Sequence, residues 1–143
     1  MTWPHAILTV LLLGLNLYVL RNGDRLERLL AAALLVDGLV NELTQNRVDF
    51  GAPQYGWLAG DSVLLAGVIA ICVVSQKRWP LVGTAFQIVT VYYDGVRIFD
   101  KSADPWTYIT YLIIVSAGLP ITMFVGVILR THRAAGAGLK GRV

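Results

Sequence analysis

Apolar residues fall into five blocks separated by short polar runs: Trp3 to Leu20, Leu29 to Thr44, Trp57 to Ser75, Pro80 to Phe99, and Trp106 to Leu129. At about 1.5 Å of rise per residue, helices of these lengths cross or nearly cross a hydrocarbon core about 30 Å thick. The second block is the shortest. Strands are the weaker alternative, because no block shows the alternation of an outer-membrane barrel and lipid leaves no backbone group unpaired. The connections, Arg21 to Arg28, Gln45 to Gly56, Gln76 to Trp79 and Asp100 to Pro105, are short and polar, as turns between antiparallel helices are. The pattern predicts an all-α integral membrane bundle of five transmembrane helices over residues 1–130. A flexible basic tail is expected over 131–143, where Gly136, Gly138 and Gly141 stand among alanines without apolar periodicity.

Basic residues orient this bundle, because Lys and Arg are retained on the cytoplasmic side. With five crossings and the N-terminus outside, the inner side holds Arg21, Arg25, Arg28, Lys77, Arg78, Arg130, Arg133, Lys140 and Arg142, against Arg47, Arg97 and Lys101 outside. If the second block did not cross, the same residues would divide evenly. The asymmetry favours five spans, N-terminus out and C-terminus in. Trp3, Tyr55, Trp57, Trp79, Trp106 and Tyr108 sit at block ends, where amphipathic rings prefer the headgroup level. Pro4, Pro80 and Pro105 stand where helices begin and a missing N–H costs least.

Composition agrees with this picture: 56% of residues are hydrophobic and 15% charged, more apolar and less charged than soluble domains. A net charge of +3, spread in short clusters between apolar blocks, gives no nucleic-acid surface. The first block is read as a retained span, since Met1 to His5 contain no Lys or Arg and no small-residue cleavage site follows Leu20. Cys72 is the single cysteine, so an intrachain disulfide is impossible and the thiol counts as a small hydrophobe.

Polar side chains inside the blocks carry the functional information, because each ionisable group in a span costs about 2.5 to 3.5 kcal/mol on insertion scales and faces the bundle interior by default. In the fourth block Gly83, Gln87, Thr90, Asp94, Arg97 and Lys101 follow at steps of four and three, drawing one polar stripe along a helix face. In the second, Asp37 and Asn41 are one turn apart, with Glu42 nearer the end; the third contributes Asp61. Under the expected topology Asn41, Asp61, Asp94 and Arg97 fall in the outer half, with Asp37 and Gln87 near the midplane. Asp37-Gly38 and Asp94-Gly95 form a matching pair in two blocks of the same direction, by chance or by a parallel duplication.

Two meanings of this layer stay open. Arg97 neutralises Asp94 or Asp61 and the cluster pins helices together. Alternatively, since Asp37, Asp61 and Asp94 outnumber Arg97, one carboxyl is protonated, binds a cation or opens to water. In the fifth block Gly118, Thr122 and Gly126 make a small-residue face for close contact, within the chain or between copies, and Pro120 is expected to kink the helix. His5 and His132 both lie outside the blocks, and no phosphate-binding glycine loop or Ser-His arrangement is present. No cofactor or metal is therefore expected. An enzyme is disfavoured, carboxylate chemistry on a lipid being the remaining enzymatic option.

Lys77-Arg78-Trp79-Pro80 followed by Phe86-Gln87, together with the Arg-rich first turn, resembles uncharacterised small multi-span membrane proteins of alphaproteobacteria. The resemblance implies a bacterial inner membrane and no activity. The expectations for function are a cation- or proton-linked transporter or channel-like subunit, with Asp37, Asn41, Asp61, Gln87, Asp94 and Arg97 as the ligand- or proton-binding candidates. An accessory or assembly subunit of a larger membrane complex, or a holin-like protein, is the alternative. The expected partners are the lipid bilayer and either further copies or a larger complex.

Overall fold

The computed structural model describes residues 3–44, 54–100 and 105–140, and all regular structure among them is helical. In chain order the helices are α1 (Trp3–Asn22), α2 (Arg25–Thr44), α3 (Tyr55–Val74), α4 (Trp79–Phe99), α5 (Pro105–Ser116) and α6 (Gly118–Lys140). Arg47 and Lys101, both counted on the outer side, lie outside the described residues, as does Arg142.

Local chemistry explains where these helices start and stop. At the head of α2, Asp24 Oδ1 accepts the Glu27 N–H at 3.0 Å while Glu27 Oε2 accepts the Asp24 N–H at 2.8 Å, a reciprocal capping box. The cap draws Arg25 to Arg28 into the first turn, so the shortest apolar block becomes a 20-residue helix. Pro80 stands in the first turn of α4, and Pro105 opens α5. Pro120 breaks the fifth block as expected: it cannot donate to the Ser116 carbonyl, and the helix is interrupted at Ala117 alone. Ala117 N–H still reaches the Ile113 carbonyl at 3.2 Å and Ile121 N–H the Ala117 carbonyl at 3.1 Å, so α5 and α6 form one interrupted rod.

The pattern predicts no regular structure beyond Thr131, whereas α6 continues to Lys140. Extending an existing helix avoids the cost of nucleation, and the favourable propensity of Ala134, Ala135 and Ala137 offsets Gly136 and Gly138.

Each helix packs against its sequence neighbours and α6 closes the circle on α1, giving the ring α1, α2, α3, α4, α6; α5 lies against α4. An apolar core of Val19, Leu30, Ala31, Leu64, Val68, Leu119, Met123 and Val127 fills the ring toward the end where α1 meets α2. Two helical stretches, Tyr55–Val74 and Ile113–Arg133, are long and apolar enough to cross a membrane among the described residues; Ile7–Asn22 is apolar but shorter.

Burial on α4 is inverted relative to a soluble amphipathic helix. Its buried residues are Pro80, Gly83, Gln87, Thr90, Asp94 and Arg97, while Leu81, Val82, Ile88, Tyr92 and Phe99 are exposed. A helix in water buries its apolar stripe and solvates the polar one.

The small-residue face of α6 is used within the chain. Phe86 of α4 lies over Gly118, Leu119 lies over Gly83, and the Trp79 ring lies over Gly126. A Cβ at Gly126 would sit 2.5 Å from Trp79 Cδ1, 2.7 Å from Cγ and 3.0 Å from Cβ, closer than packed carbon atoms approach. Gly126→Val is therefore expected to lower stability by about 1–3 kcal/mol through overpacking. Trp79→Leu in the same chain, which shrinks the ring and removes an indole N–H buried without a partner, should recover much of that loss. Thermal unfolding in detergent measures both, and strict additivity of the two changes would refute the contact.

Candidate functional site

Three successive helices bring the acidic groups together. Asp37 lies on α2, Asp61 on α3 and Asp94 on α4, and α3 packs between the other two. Asp61 and Asp94 are buried, 7% and 4% exposed, as are Gln87 at 3% and Arg97 at 4%. Asp37 and Asn41 are half-buried and Glu42 is exposed.

The centre of the layer is a tight α3–α4 contact. Gln87 Nε2 donates to Asp61 Oδ1 at 2.7 Å and to the Asp61 carbonyl at 3.1 Å, holding the carboxyl in one orientation. The Asp61 and Asp94 carboxyls lie within reach of each other across this contact. Thr90, fully buried between Gln87 and Asp94, returns its hydroxyl to the Phe86 carbonyl at 3.1 Å. Arg97 follows Asp94 by three residues on the same buried face.

Asp37 and Asn41 form the flank on α2. Asn41 Nδ2 donates to Asp37 Oδ2 at 3.0 Å, and Trp57 Nε1 donates to the Asn41 carbonyl at 3.2 Å, tying α2 to the start of α3. Asp37 Oδ1 and Asn41 Oδ1 both turn toward Gly60, where the missing side chain leaves room for them. Both atoms are buried without a hydrogen-bond partner among the described residues. Buried acceptors of this kind call for a donor or a cation.

Tyr93 stacks on Tyr111 with ring centroids 3.8 Å apart, and the exposed Tyr92 meets Tyr93 edge-on at 6.4 Å, so both tyrosines have packing roles beside Asp94. Gly38 and Gly95, the second members of the two Asp-Gly pairs, face open space, so no steric requirement explains the matching glycines. Among the described residues no three His, Cys, Asp or Glu side chains gather to form a metal site.

At the opposite end of the ring stands an ionic clamp that the sequence pattern did not disclose. Lys77, in the α3–α4 turn, pairs with Asp24 and lies 2.6 Å from Glu27 Oε1. Arg130 of α6 reaches Glu27 Oε2 at 2.9 Å, Asp24 Oδ2 at 3.2 Å and the Asn22 carbonyl at 2.9 Å. Glu27 is 1% exposed and the other three are partly exposed. Partial burial works to raise the Asp24 pKa, but the Lys77 hydrogen bond, the capping bond with Glu27 and the charges of Lys77 and Arg130 outweigh it, leaving the carboxyl below its ordinary value. The usable signal was the Asp24-x-x-Glu27 spacing before an apolar run, which marks a cap; nothing in it names Lys77 or Arg130. A lone buried Asn16 on α1, donating to the Leu12 carbonyl at 2.9 Å, was also missed.

No protein-family profile matches the chain, and no significant match exists among the curated proteins or the solved structures. The class supported by fold and site together is an all-helical protein with two stretches able to cross a membrane and a buried row of carboxyls.

Proposed function

We propose that the protein is a five-span bundle of a bacterial inner membrane, N-terminus out and C-terminus in, that passes protons or a small cation through the layer of Asp37, Asp61 and Asp94. The observation that carries the reading is the inside-out character of α4: its polar face is sealed in the ring and its apolar face is exposed. A lipid solvent makes that arrangement favourable. The α1–α2 turn, the α3–α4 turn and Arg130 meet at one end through the clamp, which supports the antiparallel layout behind the count of basic residues.

Within that frame the layer has the chemistry for proton handling. A carboxylate has no donor of its own, so two carboxyls within reach of each other favour sharing a proton over carrying two charges. Gln87 fixes Asp61 for the exchange, and the unpartnered oxygens of Asp37 and Asn41 offer the next acceptors. Among the described residues Arg97 supplies the positive charge of the layer. The apolar core around Leu64, Val68, Leu119 and Met123 lies between this layer and the clamp, so the reading has protons enter from the outer side. The small-residue face at Gly118 and Gly126 is covered by α4, so an accessory-subunit reading would rest on the exposed apolar surface of the bundle.

Two measurements on the intact chain test the reading. Reconstituted vesicles carrying a pH-sensitive dye inside are expected to equilibrate a proton gradient faster than protein-free vesicles. Thiol labelling of single cysteines placed at Asp49 and at Lys77, in a Cys72→Ser background, is expected to report opposite sides of the membrane. Labelling of both from one side would end the five-span layout, and dye traces identical to the protein-free control would end the transport assignment.

A further inference from the structure

We propose that the end of the bundle carrying the ionic clamp binds acidic phospholipids through Arg21, Arg25, Arg78 and Arg133. The inference rests on the bilayer part of the reading above and is independent of what the carboxylate layer conducts.

The charges at this end do not balance. Among the described residues its only acids are Asp24 and Glu27, and both are engaged by Lys77 and Arg130. Arg28 is exposed and spends its Nε–H on the Gly23 carbonyl at 2.7 Å. Arg21, Arg25, Arg78 and Arg133 are exposed and have no partner among the described residues. The clamp is thus a neutral centre surrounded by uncompensated guanidinium groups.

The surroundings of those arginines select the class of ligand. Leu17 is 53% exposed, Leu29 67%, Leu81 63% and Leu129 52%, and each lies three or four residues from one of the four arginines. A guanidinium presents a planar fork that matches phosphate oxygens. Phosphate alone would gain nothing from the adjoining apolar surface, whereas a phospholipid places its headgroup on the arginines and its acyl chains along Leu17, Leu29, Leu81 and Leu129. A zwitterionic headgroup leaves the excess positive charge in place, so the surface discriminates for net-negative lipids.

Native mass spectrometry of the purified chain in micelles with equimolar phosphatidylglycerol and phosphatidylcholine tests this. Bound lipid is expected to be enriched in phosphatidylglycerol, and Arg21→Gln/Arg25→Gln/Arg78→Gln/Arg133→Gln should bring the ratio near parity. The single variants Arg25→Gln and Arg133→Gln, which leave the clamp intact, should each lower it by up to about fivefold, the ratio corresponding to about 1 kcal/mol per basic residue near a charged surface. Added glycerol 3-phosphate should leave the lipid adducts in place. Equal binding of the two lipids by the wild-type chain would overturn the proposal, as would a ratio unmoved in all three variants. Displacement by glycerol 3-phosphate at the lipid's own concentration would do so too, because it would make the surface a phosphate site. None of these outcomes depends on proton flux, so failure of the transport reading would be seen separately.

Discussion

Vesicles reconstituted with Asp94→Asn or Asp61→Asn are expected to equilibrate a proton gradient no faster than protein-free vesicles. Asp61 and Asp94 lie within reach of each other across the α3–α4 contact, and an amide at either position keeps the shape and the ability to hydrogen-bond while ending reversible protonation of that member. Folding should survive, because an Asn beside the remaining Asp supplies its own N–H donor. Gln87→Leu separates positioning from proton carriage: it removes the 2.7 Å bond that orients Asp61 without touching a titrating group. Its expected effect is slowed but measurable flux. Asp37→Asn should fall between these, since Asp37 is half-buried on the flank and its Oδ2 bond to Asn41 can reform. Flux unchanged in both the Asp94 and Asp61 variants, at equal protein incorporation, would return the layer to a purely structural role. In that case the carboxyls would serve only to pin α2, α3 and α4 together.

The parts of this protein that were legible in the sequence are those governed by one helix at a time. The stripe of Gly83, Gln87, Thr90, Asp94 and Arg97 was readable because steps of three and four residues fix a common face whatever the helix packs against, and that face is the buried one. Pro120 was readable for the same reason, since the missing N–H acts on its own helix. The small-residue face of α6 was visible, but not its occupant: Trp79 and Phe86 reach it from α4 only once the ring closes. The clamp was the least legible feature. Glu27 meets Lys77 across 50 residues and Asp24 meets Arg130 across 106, so its members are chosen by packing and not by spacing. Counting basic residues had already assigned Lys77 and Arg130 to one side, yet it treated them as solvated charges. Their acidic partners lay in a turn read only as a polar connection.

Glu27→Ala is expected to be the most destabilising single substitution in the chain, at about 3–5 kcal/mol, the cost of removing one partner from a buried ion pair. That is a large share of the roughly 5–15 kcal/mol that separates folded from unfolded states in ordinary domains. The figure applies to Glu27 because its side chain is 1% exposed, while Lys77 at 28%, Asp24 at 39% and Arg130 at 38% retain contact with solvent and count for less. Losing the carboxylate leaves Lys77 and Arg130 facing each other with Asp24 alone between them, and also opens the capping bond to the Asp24 N–H. Glu27→Gln should cost less, because its amide oxygen still accepts that N–H. Glu27→Leu together with Lys77→Met should recover stability toward wild type, since an apolar pair of similar volume avoids the desolvation of both charges and Arg130 retains Asp24. The unfolding temperature in detergent, followed by helical circular dichroism, reads all three variants. A wild-type midpoint for Glu27→Ala would show that the clamp carries no net energy at this end of the bundle. Recovery in the Leu/Met pair would instead show that the ion pair specifies which turns meet, while the burial beneath it supplies the stability.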